Sequence, residues 1–291
     1  MKRLEYLIND VRLATDNTDT NGVKDREIIE YFNDAVKYIQ LLIFKNQPLC
    51  TFFLKEFVYS PVTPDAEYDL PTDCYADNGI STVEGRFGTT TINEGYRPLK
   101  RVWQEDRYNF FGYLTRNKKL IITGEEINLA IEAVRLHYFY RLPRFDKRWG
   151  TITTKVGNVL TITSTDPDLA LINDIVSVVD SNGVVIQANI KTNSINSTTI
   201  NCSTALLPAV ANGMFIVSGG YSTTNLELPD EIETYLKDYV KQRIFTRNNY
   251  TDASKQIYFT EEQKTAIIDL FSNNTKELIH PPITDVDFLE I

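Results

Sequence analysis

The apolar residues of this chain change period twice, from helical to alternating and back, and that order restricts the fold before any motif is considered. Leu4, Leu7, Ile8 and Val11 recur at i, i+3, i+4 and i+7, which predicts a first helix with Lys2, Arg3, Glu5 and Asp10 largely off its apolar stripe. The polar stretch 15–22 ends it. A longer helix opens near Asp25 and carries Ile28, Ile29, Phe32, Val36 and Ile39 or Gln40 until Pro48 stops it, so the two helices are expected to form a hairpin. Helical spacing returns at Leu228-Pro229-Asp230, where proline and acid suit a first turn and Ile232, Tyr235, Leu236, Tyr239, Val240 and Ile244 make a stripe. A last helix should start no later than Thr260, whose spacing to Gln263 makes a capping box, and should present Ile267, Ile268 and Phe271.

Between these helices the period is near two. From Thr51, Phe52, Leu54, Phe57 and Val58 sit among β-branched and aromatic neighbours, with Pro61 and Pro64 as breakers. Residues 66–71 read as a short strand stopped by Pro71, and 120–124 as another. The clearest is 133–142, where Val134, Leu136, Tyr138 and Tyr140 alternate with Arg135, His137, Phe139 and Arg141, a half-buried antiparallel pattern. The segment 151–224 is rich in Thr, Ser, Asn, Val and Ile and poor in charge. Strands are expected there at 159–164, 174–180, 184–190, 198–202 and 214–219, five short strands that suit a small barrel. Asp180-Ser181-Asn182-Gly183 is the best hairpin signal, because Asn-Gly tolerates the positive φ of tight turns.

The fold class is therefore α+β, with an antiparallel β domain at 51–150 and an inserted barrel-like β module at 151–224. With 291 residues, 42% hydrophobic and 24% charged, the composition is that of an ordinary folded chain of one or two domains. Its 39 acidic against 30 basic residues, net −9, is the wrong sign for gripping nucleic acid over the whole surface. Cys50, Cys74 and Cys202 are far apart with no CxxC pair, which fits isolated thiols in a reducing compartment. The opening residues lack the apolar stretch of a secretory signal, and no apolar run is long enough to span a membrane.

Motifs of chemistry are sparse. Asn17-Thr18-Asp19-Thr20-Asn21-Gly22 approaches a calcium loop, but the twelfth position is Ile28 where a bidentate Glu is required, so no metal site is expected. A nucleophilic triad would need His137 or His280 as base; the first lies in an alternating strand and the second precedes Pro281-Pro282, and there is no G-x-S-x-G. No phosphate-binding glycine motif is found, so no cofactor is expected and the chain does not read as an enzyme. Trp103, Tyr108, Phe110, Phe111 and Tyr113 are mixed with Lys100, Arg101, Arg107 and Arg116. A packed β-edge with snorkelling arginines, a protein interface and a ligand-stacking surface all fit that patch. From Ile279 the chain reads as an extended, proline-stiffened tail; Ile283, Val286, Phe288, Leu289 and Ile291 are its candidate docking residues.

Four phrases together resemble the head-to-tail adaptor proteins of short-tailed bacteriophages, the tail tubular protein A type and related portal-attached ring proteins. They are residues 4–10; Lys24-Asp25-Arg26-Glu27-Ile28-Ile29-Glu30-Tyr31-Phe32-Asn33-Asp34-Ala35; Tyr68-Asp69-Leu70-Pro71; and Leu228-Pro229-Asp230-Glu231. The resemblance spans about 1–148 and 225–275, and 151–224 departs from it as an insertion. It implies a structural virion protein of the phage neck, made in the host cytoplasm. In such a protein the hairpin and return helices (1–50 with 225–275) pack as a helical bundle on the portal. It further implies a homo-oligomeric ring of twelve and a second contact with a tail, ring or nozzle protein. Residues 276–291 become a portal-docking tail, and no membrane is involved. Genomic DNA would pass through the lumen during ejection without specific binding, which the net negative charge suits because it repels phosphate. A carbohydrate- or receptor-binding β protein of the tail is the alternative, and a glycan-degrading enzyme the third.

Overall fold

The computed structural model describes residues 4–16, 22–47, 50–62, 66–75, 79–87, 95–102, 112–123, 131–164, 175–196, 198–225, 228–249 and 259–272. These residues form a mixed α+β structure with, among them, four helices, small sheets and a closed six-stranded barrel. The docking tail, His280, the calcium-like residues 17–21, and Trp103, Arg107, Tyr108, Phe110 and Phe111 lie outside the described residues.

Helices α1 (Leu4–Ala14) and α2 (Asp25–Asn46) form where the helical period places them. Leu4, Leu7, Ile8 and Val11 of α1 are buried, as are Ile28, Ile29, Phe32, Val36 and Ile39 of α2. Gln40, the polar alternative to Ile39 in that stripe, is buried beside it. At the far end of the chain α3 (Ile232–Asn249) and α4 (Glu261–Ser272) bury Ile232, Leu236, Val240, Ile244, Ile267 and Phe271. The capping box that opens α4 is reciprocal. The Thr260 amide donates to Gln263 Oε1 at 3.1 Å, and the Gln263 amide donates to Thr260 Oγ1 at 3.2 Å. Helix α2 touches α1, α3 and α4.

The β expectation at Thr51 is corrected. Thr51–Phe53 is a 3₁₀ turn, and the strand β1 begins only at Leu54 (Leu54–Tyr59). A strand would send Phe52 and Phe53 to opposite faces. In the turn both rings reach Phe271 of α4, with centroids 5.2 and 5.7 Å away. Phe57 and Val58 lie on β1 as the β pattern expected, and each is 42% exposed on this edge strand.

Strand β1 pairs with β8 (Ile131–Phe139), which also pairs with β3 (Ile80–Phe87), and β3 with β4 (Tyr96–Pro98), in the order β1-β8-β3-β4. The central β8 has the expected alternation, with Val134, Leu136 and Tyr138 inward and Arg135 and His137 half-exposed. A second sheet runs β2 (Glu67–Asp69), β7 (Lys119–Thr123), β6 (Gly112–Arg116), β5 (Lys100–Arg101). Its β5·β6 pair is parallel, so the 51–150 region is not wholly antiparallel.

The barrel closes in the order β10-β11-β14-β13-β12-β15, from β10 (Gly150–Val156), β11 (Val159–Ser164), β12 (Ile175–Val179), β13 (Val185–Ile195), β14 (Thr199–Cys202) and β15 (Phe215–Ser218). Six strands replace the five expected. The extra one, β10, reads GTITTKV and turns only Gly150 and Ile152 fully inward, so its alternation carries almost no hydrophobic signal. The predicted Asn182-Gly183 turn joins β12 to β13. Asp180 Oδ1 accepts the amides of Asn182 at 2.8 Å and Val184 at 2.9 Å, and Gly183 takes φ +83°.

Two apolar cores result. One joins the helices to the sheets; the other fills the barrel with Ile152, Leu160, Val176, Ile190, Ile200 and Ile216. None of the three cysteines is in a disulfide, and Cys50 is buried in the first core and Cys202 in the second. Burial raises the Cys50 thiol above its ordinary pKa and pushes Cys202 up to about 11, which starves both of thiolate. With excess iodoacetamide at neutral pH, mass spectrometry of the native protein should show fast alkylation at the half-buried Cys74 alone. Fast labelling of Cys202 would contradict a closed barrel.

Candidate functional site

A set of polar contacts between residues about a hundred positions apart joins α2 to the stem that carries the barrel. Asn33 and Gln40 lie seven apart on α2 and therefore on one face. Each uses its amide to read main chain. Asn33 Nδ2 donates to the Phe145 carbonyl at 3.1 Å while its Oδ1 accepts the Phe145 amide at 2.7 Å. Gln40 Nε2 donates to the Tyr140 carbonyl at 2.9 Å, and its Oε1 accepts the Leu142 amide at 3.4 Å. The segment between β8 and the barrel is thus held along the helix as though α2 were a neighbouring strand. Glu30 adds a fork of two bonds from Arg144, at 2.7 and 2.8 Å.

The same helix ties down the others. Arg12 of α1 is buried, donates to the Asp25 carboxylate at 2.5 Å, and reaches the Val23 carbonyl at 2.8 Å. Glu27 accepts Arg247 of α3 at 2.8 Å and the Tyr31 hydroxyl at 2.7 Å. Burial first, and then that bond to a carboxylate, pushes the Tyr31 hydroxyl up to about 12. Asp34 meets Arg243 at 3.7 Å.

The chain enters and leaves the barrel side by side. Strand β9 (Arg144–Phe145) pairs in parallel with β16 (Ser222–Thr223), just before β10 and just after β15. The Asp146 carboxylate locks the two passes together. Oδ2 accepts the Trp149 indole and the Ser218 amide, both at 2.9 Å, and Oδ1 accepts the Lys147 amide at 2.8 Å. Burial raises its pKa above the ordinary carboxylate value, against the pull of these donors. The exit strand also seats the β12–β13 turn. Thr223 Oγ1 donates to the Gly183 carbonyl at 2.6 Å, and Asn225 Nδ2 donates to the Asn182 carbonyl. A Cβ at Gly183 would lie 2.7 Å from Asn225 Cβ, so glycine is needed for space as well as for φ. The amide of Leu4, first residue of α1, donates to the Thr224 carbonyl at 3.0 Å. Together these amide, carboxylate, guanidinium and hydroxyl contacts hold the stem of the barrel against α2 and the start of α1.

The residues singled out in the sequence fall elsewhere. His137 Nε2 is 3.5 Å from the Glu84 carboxylate, which Arg135 also approaches at 3.7 Å, on the half-exposed face of the sheet. Of the aromatic and basic patch, Tyr113 is buried while Lys100 and Arg101 are exposed on β5. Among the described residues no group of three or more His, Cys, Asp or Glu is placed to hold a metal ion, and no helix is long and apolar enough to cross a membrane. None of Asn33, Gln40 and Asp146 belongs to a motif of site chemistry; Gln40 was the polar alternative in the α2 stripe, and Asn33 stood only within the 24–35 phrase. Between Gly150 and Ser218 the one aromatic residue is Phe215, and the Arg148 guanidinium lies 3.7 Å over its ring. No family model matches this sequence, and no curated protein matches it.

Proposed function

We propose that this chain is a structural virion protein, the subunit of a head-to-tail adaptor ring that joins the portal of a short-tailed bacteriophage to its tail and lines part of the DNA channel. One observation carries the reading. The four phrases behind the resemblance are scattered from residue 4 to residue 231, yet each places residues in or directly beside one apolar core: Leu4 and Leu7, Ile28 and Phe32, Leu70, Leu228. A body built around those phrases, with a barrel of separate core carried on a two-stranded stem, is what an adaptor with an inserted module calls for.

In this reading α1 to α4 act as a helical bundle against the portal, and residues 276–291 dock through Ile283, Val286, Phe288, Leu289 and Ile291. The ring has twelve copies, and DNA slides past without tight binding because the chain is acidic. The receptor-binding alternative has less behind it. Glycan sites stack sugars on aromatic rings, and the described residues of the barrel offer Phe215, already covered by Arg148, and Trp149, which is buried with its indole donating to Asp146.

Native mass spectrometry of portal rings mixed with the full chain tests the proposal. A stable complex carrying one ring of subunits is expected, and a chain ending at residue 275 should lose portal capture. Portal rings that gain no mass would sink the adaptor reading.

A further inference from the structure

The end of the barrel away from the stem is built to show aliphatic side chains. At the β10–β11 tip Val156 is 70% and Val159 39% exposed, and beside them Leu207 is 49% exposed within the apolar run Ala205-Leu206-Leu207-Pro208-Ala209-Val210-Ala211. This loop is held from beneath by side chains that satisfy its main chain. Lys155 Nζ donates to the carbonyls of Leu207 at 2.6 Å and Val210 at 3.3 Å. Gln187 donates to the Ala205 carbonyl and accepts the Leu207 amide, both at 2.8 Å, and Asn158 Oδ1 accepts the Leu206 amide at 3.3 Å. With its polar groups so occupied, the loop is ordered and its outward chemistry is aliphatic.

The geometry points to this tip as a self-association surface that seats on a second copy of the chain, an inference that rests on the ring reading and names one of its contact surfaces. Charge argues for that occupant. Of the barrel's described charged residues, Lys155 reaches this loop through its ammonium, Lys191 is exposed beside the start of the loop with its main-chain amide donating to Thr204 Oγ1, and Asp180 lies in the turn seated on the stem. A cationic rim on an otherwise acidic molecule of net −9 is complementary to the body of its own neighbour. Head-to-tail contact between unlike surfaces is also what closes a ring. A bilayer is a poorer match, because interfacial loops anchor through Trp and Tyr, whereas the described residues of the tip include no aromatic.

The test compares the full-length wild type with Val156→Asp, Leu207→Asp and Val184→Asp. The last places the same charge at an exposed valine beside the stem. Each is measured alone by sedimentation over a concentration series, and with portal rings by native mass spectrometry. Slow alkylation of Cys202 reports an intact barrel. Wild type and Val184→Asp should self-associate alike, with Val156→Asp and Leu207→Asp weaker by about tenfold or more. If both tip variants associate like wild type, or assemble full rings on the portal, the tip inference falls and the adaptor reading stands. A wild type that is monomeric throughout and binds no portal removes both. Tip-dependent binding to phosphatidylcholine vesicles without self-association overturns the choice of occupant.

Discussion

Phe32→Ala should destabilise the helix-and-sheet body by about 3–5 kcal/mol, the usual cost of emptying a fully buried aromatic site, and leave the barrel folded. Phe32 is completely buried on α2 in the core shared with α1, α3 and the sheets, and no residue of the barrel core belongs to that cluster. The site is bordered by rigid helices, so it cannot collapse cheaply onto the vacancy. For a body of this size the loss corresponds to a drop in melting temperature on the order of 10 °C. The two buried cysteines separate the outcomes, since Cys50 reports the body and Cys202 the barrel. During heating of the variant, Cys50 should become alkylated at a temperature where Cys202 is still protected. Simultaneous exposure of both thiols would show that the stem makes one cooperative unit of the two cores, and a shift of under about 1 kcal/mol would show that α2 is not the keystone of the body.

Where the sequence was legible, one local rule governed one element. The apolar stripe of α1, the Thr260–Gln263 box and the Asn182-Gly183 turn each depend on residues within a few positions of one another, and each formed as read. The failures are the places where distant partners decide. Thr51–Phe53 turns as 3₁₀ because Phe271 waits more than two hundred residues away. Strand β10 is hidden because a barrel strand flanked on both sides needs few large side chains of its own. Parallel pairing of β5 with β6, and of β9 with β16, leaves no mark on period or turn residues. The stem was invisible for the same reason: Asp146 sits among Arg144, Lys147 and Arg148 as an apparently ordinary surface acid, and its partner Ser218 lies 72 residues on.

That acid is the site of the second large effect. Asp146→Ala should cost about 3 kcal/mol, most of it read in the barrel, because three donors lose their acceptor together and a buried donor left unpaired costs about 1–3 kcal/mol. Trp149 opens the barrel and Ser218 closes it, so the loss should loosen both passes of the stem. Amide hydrogen exchange is the direct measure, with faster exchange expected across β10 and β15 and little change in α2. Asp146→Asn retains an oxygen for the Trp149 and Ser218 donors and should cost only about 1 kcal/mol. Acid resolves the electrostatics. Burial raises the native pKa of Asp146 above the unfolded carboxylate value of about 3.9, so its titration contributes stability that is full below the unfolded value and lost as pH rises through the native one. Wild type should therefore gain on Asp146→Asn as pH falls from the raised native value toward about 3.9, when both are unfolded in urea at matched pH. A gap that narrows over that window would mean that the Trp149, Ser218 and Lys147 donors outweigh burial. A cost for Asp146→Ala below about 0.5 kcal/mol would mean that the stem is held by β9 and β16 alone.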